Sequence, residues 1–193
     1  HLRTRRQRQM CIRDRYGNDT PYGTPSGVII HGRLGDAKEE VLFLPRHGVN
    51  HQLLPSEINY RANIYALKEL GATKIISVSA VTSLAAEIQA GDFVIPDQYI
   101  DQTRGIRKHT FFGDGLVAHV PMERPSCEQL TRDILAAAKS FGVTIHREKT
   151  YVGIEGPRFN TRAESNVLRQ NGCHIVGMTN VPEVFLAREA QMA

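Results

Sequence analysis

An α/β fold, with a mixed central β-sheet flanked by helices, is what this sequence predicts. Three observations carry that reading. Short apolar runs of strand type alternate with segments whose apolar residues recur at helical spacing. Glycines stand where the helical segments stop, at Gly71, Gly142 and Gly172. No internal repeat interrupts the rhythm, and 193 residues suffice for one domain with a sizeable core.

The elements follow in order. Residues 27–31 (GVIIH) and 41–45 (VLFLP) read as two strands around a Gly-Asp turn, a hairpin. Asn59 to Leu70 has helical spacing and Gly71 as its stop. Residues 74–80 (KIISVSA) read as a short buried strand, and 92–100 (DFVIPDQYI) as another, with Pro96 demanding a bulge or an edge position. Residues 101–125 have no period and read as a long loop. Ser126 with Gln129 fits a capping box that opens a helix through Lys139. Residues 150–154 are a strand, Thr161 with Glu164 caps a helix ending before Gly172, and 174–178 are a strand. Asn180 with Glu183 is expected to cap a last helix, Val181 to Ala190. Because the chain stops at that helix, a further strand is expected beyond it.

Composition narrows the function. The apolar share of 41% and the charged share of 23% are those of an ordinary globular protein. No apolar run approaches the roughly 20 residues of a membrane span, and no secretory leader is recognisable. The net charge of +4 invites a nucleic-acid reading, but residues 1–15 hold six Arg and one Asp, and the rest of the chain sums to −1. The basic signal therefore belongs to a tail, 1–15, set apart from a domain over 16–193. Cys11, Cys127 and Cys173 share no metal-type spacing, so reduced thiols in a cytosolic setting are expected, with neither metal nor disulfide framework.

Ligands of open α/β sheets collect at the carboxyl ends of strands. Three such ends here suit an anion. Arg46-His47-Gly48 offers a guanidinium fork, an imidazole and a close backbone approach, though a surface ion pair is the plainer reading. Ser79-Ala80 offers a hydroxyl and backbone N–H groups, or simply a turn. Met178-Thr179-Asn180 places a hydroxyl and unpaired N–H groups at a helix N-terminus, or serves as an ordinary cap. Walker, dinucleotide, zinc-protease and serine-hydrolase motifs are all missing.

The stretch LPRHGVNHQLLPSEINYRANIYALKELGATKIISVSAVTSL, with EGPRFNTRAES at 155–165 and GMTNVPEVFLAREA at 177–190, resembles the trimeric purine nucleoside phosphorylases. EGPRF followed by RAES resembles the methylthioadenosine phosphorylase branch. The resemblance implies a nucleoside phosphorylase fold and a reaction in which phosphate attacks C1′ of 5′-methylthioadenosine, giving adenine and 5-methylthioribose 1-phosphate. It implies that Arg46, His47, Ser79, the Ala80 backbone and Thr179 hold phosphate. Met178 would lie against the ribose, with Phe159, Asn160, His51 and His119 at the nucleoside. Asn160 stands where the 6-oxopurine enzymes carry Glu, and His119 would reach a neighbouring subunit's 5′-alkylthio pocket. A cytoplasmic homotrimer with shared sites is implied, with phosphate as co-substrate and no cofactor.

Two departures bear on this. Thr82 replaces a Gly usual next to the base, and the carboxylates that assist the departing purine would lie beyond Ala193. A first strand with a Gly-rich phosphate turn would precede residue 20. A phosphorylase for 6-oxopurine nucleosides or methylthioinosine, and an inactive member acting as a binding partner, remain the alternatives.

Overall fold

The computed structural model describes residues 10–35, 39–103 and 105–193. These fall into two compact units, one through Ala72 and one from Thr73 to Ala193.

In the first unit, β1 (Met10–Tyr16), β2 (Ile29–Leu34) and β3 (Glu40–Phe43) form an antiparallel sheet in that order. The β2–β3 hairpin is the one expected, with Ile30 opposite Phe43 and Arg33 opposite Glu40. Residues 36–38 of its turn lie outside the described residues. β1 corrects the expectation that residues 1–15 stand apart from the fold. Its register against β2 slips between Ile12 and Asp14, and that irregularity breaks the two-residue alternation by which a strand is recognised. Residues 1–9 of the tail lie outside the described residues.

Helix α1 (Tyr60–Glu69) starts and stops as expected: Asn59 Oδ1 accepts from Ala62 N, and Gly71 takes φ +90. Asn59 and Asn63, one helical turn apart, reach back to the segment before β2. Asn59 Nδ2 donates to Tyr22 O at 2.7 Å, while Asn63 Oδ1 accepts from Ser26 N at 2.8 Å. Their amides thus tie that segment to the helix.

The second unit holds a four-stranded mixed sheet, ordered β4 (Thr82–Ser83), β7 (Ile175–Gly177), β6 (Ile145–Ile154), β5 (Phe93–Gln102). β5, β6 and β7 run parallel, and β4 pairs antiparallel to β7. Its helices are α2 (Glu128–Ser140), α3 (Arg162–Gln170) and α4 (Asn180–Glu189). Successive residues of β6 and β7 serve opposite faces. Val152 and Val176 pack with Leu168 of α3, whereas Tyr151 and Ile175 pack with Val181 of α4. Helices therefore cover both faces, as the strand–helix alternation predicts.

Three local expectations are corrected. Residues 74–80 join no strand; half-buried and exposed residues alternate along them, but the ladder begins only at Thr82–Ser83. Period-2 patterning reports which way side chains face, and a strand also needs a paired neighbour. Ser126 does not cap α2: its hydroxyl donates to Pro96 O at 2.8 Å, and Cys127 occupies the cap position without a side-chain bond. Asn180 and Glu183 do not cap α4 either, for reasons that belong to the site. Other details match the reading. β5 is an edge strand whose register shifts on both sides of Pro96. Thr161 and Glu164 form a complete capping box on α3.

Candidate functional site

The β6–β7 ladder ends with Gly153 opposite Gly177, so it delivers Ile154–Glu155 and Met178–Thr179 side by side. Tyr151 of β6 is fully buried and reaches past the end of β7; a Cβ on Gly177 would collide with its phenol oxygen. That oxygen accepts from the N–H groups of both Thr179 and Asn180 at 3.3 Å. The sequence reading of unpaired N–H groups at this helix start is thereby corrected: both amides are engaged.

The Thr179 hydroxyl is different. The residue is 4% exposed, makes no side-chain cap bond, and its Oγ1 finds no hydrogen-bond partner among the described residues. A buried unmatched hydroxyl costs about 1–3 kcal/mol, so such a group is usually there for a ligand or for water.

Alternate residues of the extended segment before β4 reach the first turn of α4. Ser79 Oγ donates to Asn180 Oδ1 at 3.0 Å, and Ser77 Oγ donates to Glu183 Oε2 at 2.5 Å. These bonds take the two side chains expected to form a capping box. They also tie Ser79 to Asn180, the residue after Thr179, with Ala80 next along the chain. Met178 is half-buried against Gly156, where a Cβ would come 2.5 Å from its Sδ.

A residue that sequence reasoning missed holds this corner together. Arg107, its side chain 1% exposed, donates through Nη1 to Met178 O at 2.6 Å and to Val181 O at 2.7 Å. Its Nη2 donates to Glu155 O at 2.8 Å. Nothing in the sequence marks it, because it sits in a period-free loop and its partners are backbone carbonyls tens of residues away. Tyr151 was missed because it reads as one more core position of a strand, and the amides that donate to it lie 28 and 29 residues further on.

In the first unit, Arg46 and His47 are half-buried three and four residues after the end of β3, and Gly48 is buried at φ +77. A Cβ there would collide with the Gln52 carboxamide, which accepts from Asn50 N at 2.9 Å. Only glycine suits both the space and the dihedral. His47 Nδ1 donates to Leu53 O at 2.8 Å, and its ring stacks on His51 at 4.3 Å between centroids. The imidazole orientation is thus set by the loop itself.

The remaining residues lie apart from these contacts. Phe159 is 75% exposed, Asn160 is half-buried, and His119 and Thr82 are exposed. The loop that carries Phe159 and Asn160 is pinned by Arg158, which grips Glu164 through two bonds of 2.7 and 2.9 Å. Those bonds, then the Thr161 N–H, pull the Glu164 carboxyl down to about 2. Burial pushes the Cys173 thiol up. Among the described residues no group of three or more His, Cys, Asp or Glu could hold a metal ion, and no helix is long and apolar enough to cross a membrane.

The chain belongs to the phosphorylase superfamily, whose family model matches residues 6–193. The fold is the nucleoside phosphorylase fold. Among its relatives are the S-methyl-5′-thioadenosine phosphorylases of Geobacter sulfurreducens, 53% identical over 90% of this chain and 60% of that protein, and of Thermofilum pendens, 53% identical over 90% and 65%. The chain spans about three-fifths of the length of these relatives. Among solved structures, a methylthioadenosine phosphorylase from an Antarctic soil metagenomic library is 49% identical with a TM-score of 0.91, over 96% of this chain and 64% of that one. The methylthioadenosine phosphorylase of Schistosoma mansoni in complex with adenine is 38% identical with a TM-score of 0.90, over 96% and 71%.

Proposed function

We propose that the protein carrying this chain splits 5′-methylthioadenosine with inorganic phosphate, releasing adenine and 5-methylthioribose 1-phosphate for purine salvage. The observation that carries the reading is the buried, unmatched Thr179 hydroxyl at the end of β7. It sits in a chain 53% identical to enzymes named for this reaction.

In this reading Thr179, Ser79, the Ala80 backbone, Arg46 and His47 hold the phosphate dianion. Met178, Phe159, Asn160, His51 and His119 attend the nucleoside. The chemistry needs no protein nucleophile. As the C1′–N9 bond lengthens, the sugar gains oxocarbenium character, and a dianion fixed beneath it both stabilises that charge and attacks C1′. The electron pair of the broken bond leaves with adenine, which takes up a proton. Phosphate is a co-substrate and no cofactor enters the step. A cytoplasmic homotrimer is the expected working form.

The gene's full product, assayed by chromatography, is expected to convert methylthioadenosine only when phosphate is supplied. Equal turnover without phosphate identifies a hydrolase instead. Preference for inosine or methylthioinosine over methylthioadenosine moves the protein to the 6-oxopurine branch.

A further inference from the structure

Arg107 has no role in the reading above, yet its guanidinium lies at the junction of two loops assigned to substrates. Nη1 binds the carbonyls of Met178 and Val181, which flank Thr179 and Asn180. Nη2 binds Glu155 O and, at 3.4 Å, Ile154 O. Nε faces Glu155 Oε1 at 3.6 Å. A rigid planar fork is suited to hold several carbonyls at fixed angles, which a flexible ammonium is not.

An arginine on a drifting loop could position nothing. This one is anchored, because Glu189 at the far end of α4 accepts from Thr110 Oγ1 at 2.8 Å and from Phe111 N at 2.7 Å. The segment 107–111 is thus fastened near both ends of α4, the helix that follows Thr179. The Tyr151 phenol holds the amides of Thr179 and Asn180 from the sheet side, and Arg107 holds the carbonyls around them. With the backbone gripped from both sides, the Cα–Cβ bond from which the Thr179 hydroxyl projects is held in place.

We propose that Arg107 is a positioning residue for phosphate: it touches no substrate, and it acts by holding the 178–181 turn so that the Thr179 hydroxyl meets the anion. The proposal rests on the reading of Thr179 as a phosphate ligand. Losing an aligned donor to a charged group costs roughly one to two orders of magnitude in affinity, and misalignment forfeits part of that.

The test is a kinetic cycle in the gene's full product, comparing Arg107→Lys, Thr179→Ala and the double variant. With Arg107→Lys, the KM for phosphate is expected to rise about tenfold, and that for nucleoside less than about threefold. In the Thr179→Ala background the same change is expected to leave the phosphate KM unaltered, because the group through which it acts is gone. Should the lysine variant not fold, judged by near-UV circular dichroism, Arg107→Gln replaces it, keeping a planar donor. If the unmodified protein needs no phosphate, the function assigned to the site fails and this proposal with it. If phosphate is needed but Arg107→Lys lowers kcat with both KM values unchanged, or its effect persists without the Thr179 hydroxyl, only the positioning role is overturned. Failure of both variants to fold makes Arg107 a general stability element and overturns it equally.

Discussion

Thr179 is held in a costly state while its hydroxyl lacks a partner, and the cost can be read out. Thr179→Val keeps the shape and removes the oxygen, so the ligand-free protein is expected to be unchanged or more stable by up to about 1 kcal/mol. Its stabilisation by added phosphate should shrink, as thermal melts with and without phosphate would record. Glu164 gives a pH dependence. Its carboxyl sits at about 2 in the folded chain against an ordinary 4.5, chiefly because Arg158 bonds the ionised form. A lowered carboxyl contributes stability that is fully present above 4.5 and lost as pH falls through about 2. Denaturant unfolding should therefore show the unmodified protein ahead of Glu164→Gln near neutrality, with the gap closing as the pH drops across that window.

At the scale of elements, the helix caps show what a sequence can and cannot disclose. Thr161-x-x-Glu164 is legible because both partners of a capping box lie within four residues, and the box forms. Thr161→Ala is expected to cost about 1 kcal/mol of stability by denaturant titration, since it strands the Glu164 N–H at the start of α3. Ser126 and the Asn180–Glu183 pair carry the same signature and fail, because distant partners outbid the local ones. Pro96 O takes the Ser126 hydroxyl, while Ser79 and Ser77 take Asn180 and Glu183. β1 is hidden by a register slip, and the 74–80 segment alternates like a strand without entering a ladder. Each miss comes from an interaction that is long-range in sequence, which periodicity does not report.

For the molecule as a whole, the α/β class, the succession of elements apart from β1 and β4, and the glycine stops were readable, because they follow from repeating patterns of apolar residues. Of the proposed phosphate ligands and their neighbours, Ser79, Met178 and Thr179 were singled out by asking which strand ends suit an anion; in the structure Ser79 bonds Asn180, next to Thr179, and Met178 packs on Gly156. Arg107 and Tyr151 were not found, since a buried arginine bonded to carbonyls looks like any other loop arginine until the chain is folded. The register that sets Gly153 opposite Gly177 has a further consequence. Adding or deleting one residue in either strand would slide its loop by about 3.3 Å and turn its side chains to the opposite face. The length of these strands is therefore as constrained as the side chains that pack between them. Tolerated insertions belong at the opposite edge, near the Gly142 and Gly172 turns, where a longer connection disturbs neither Arg107's carbonyls nor the phenol's grip on the amides.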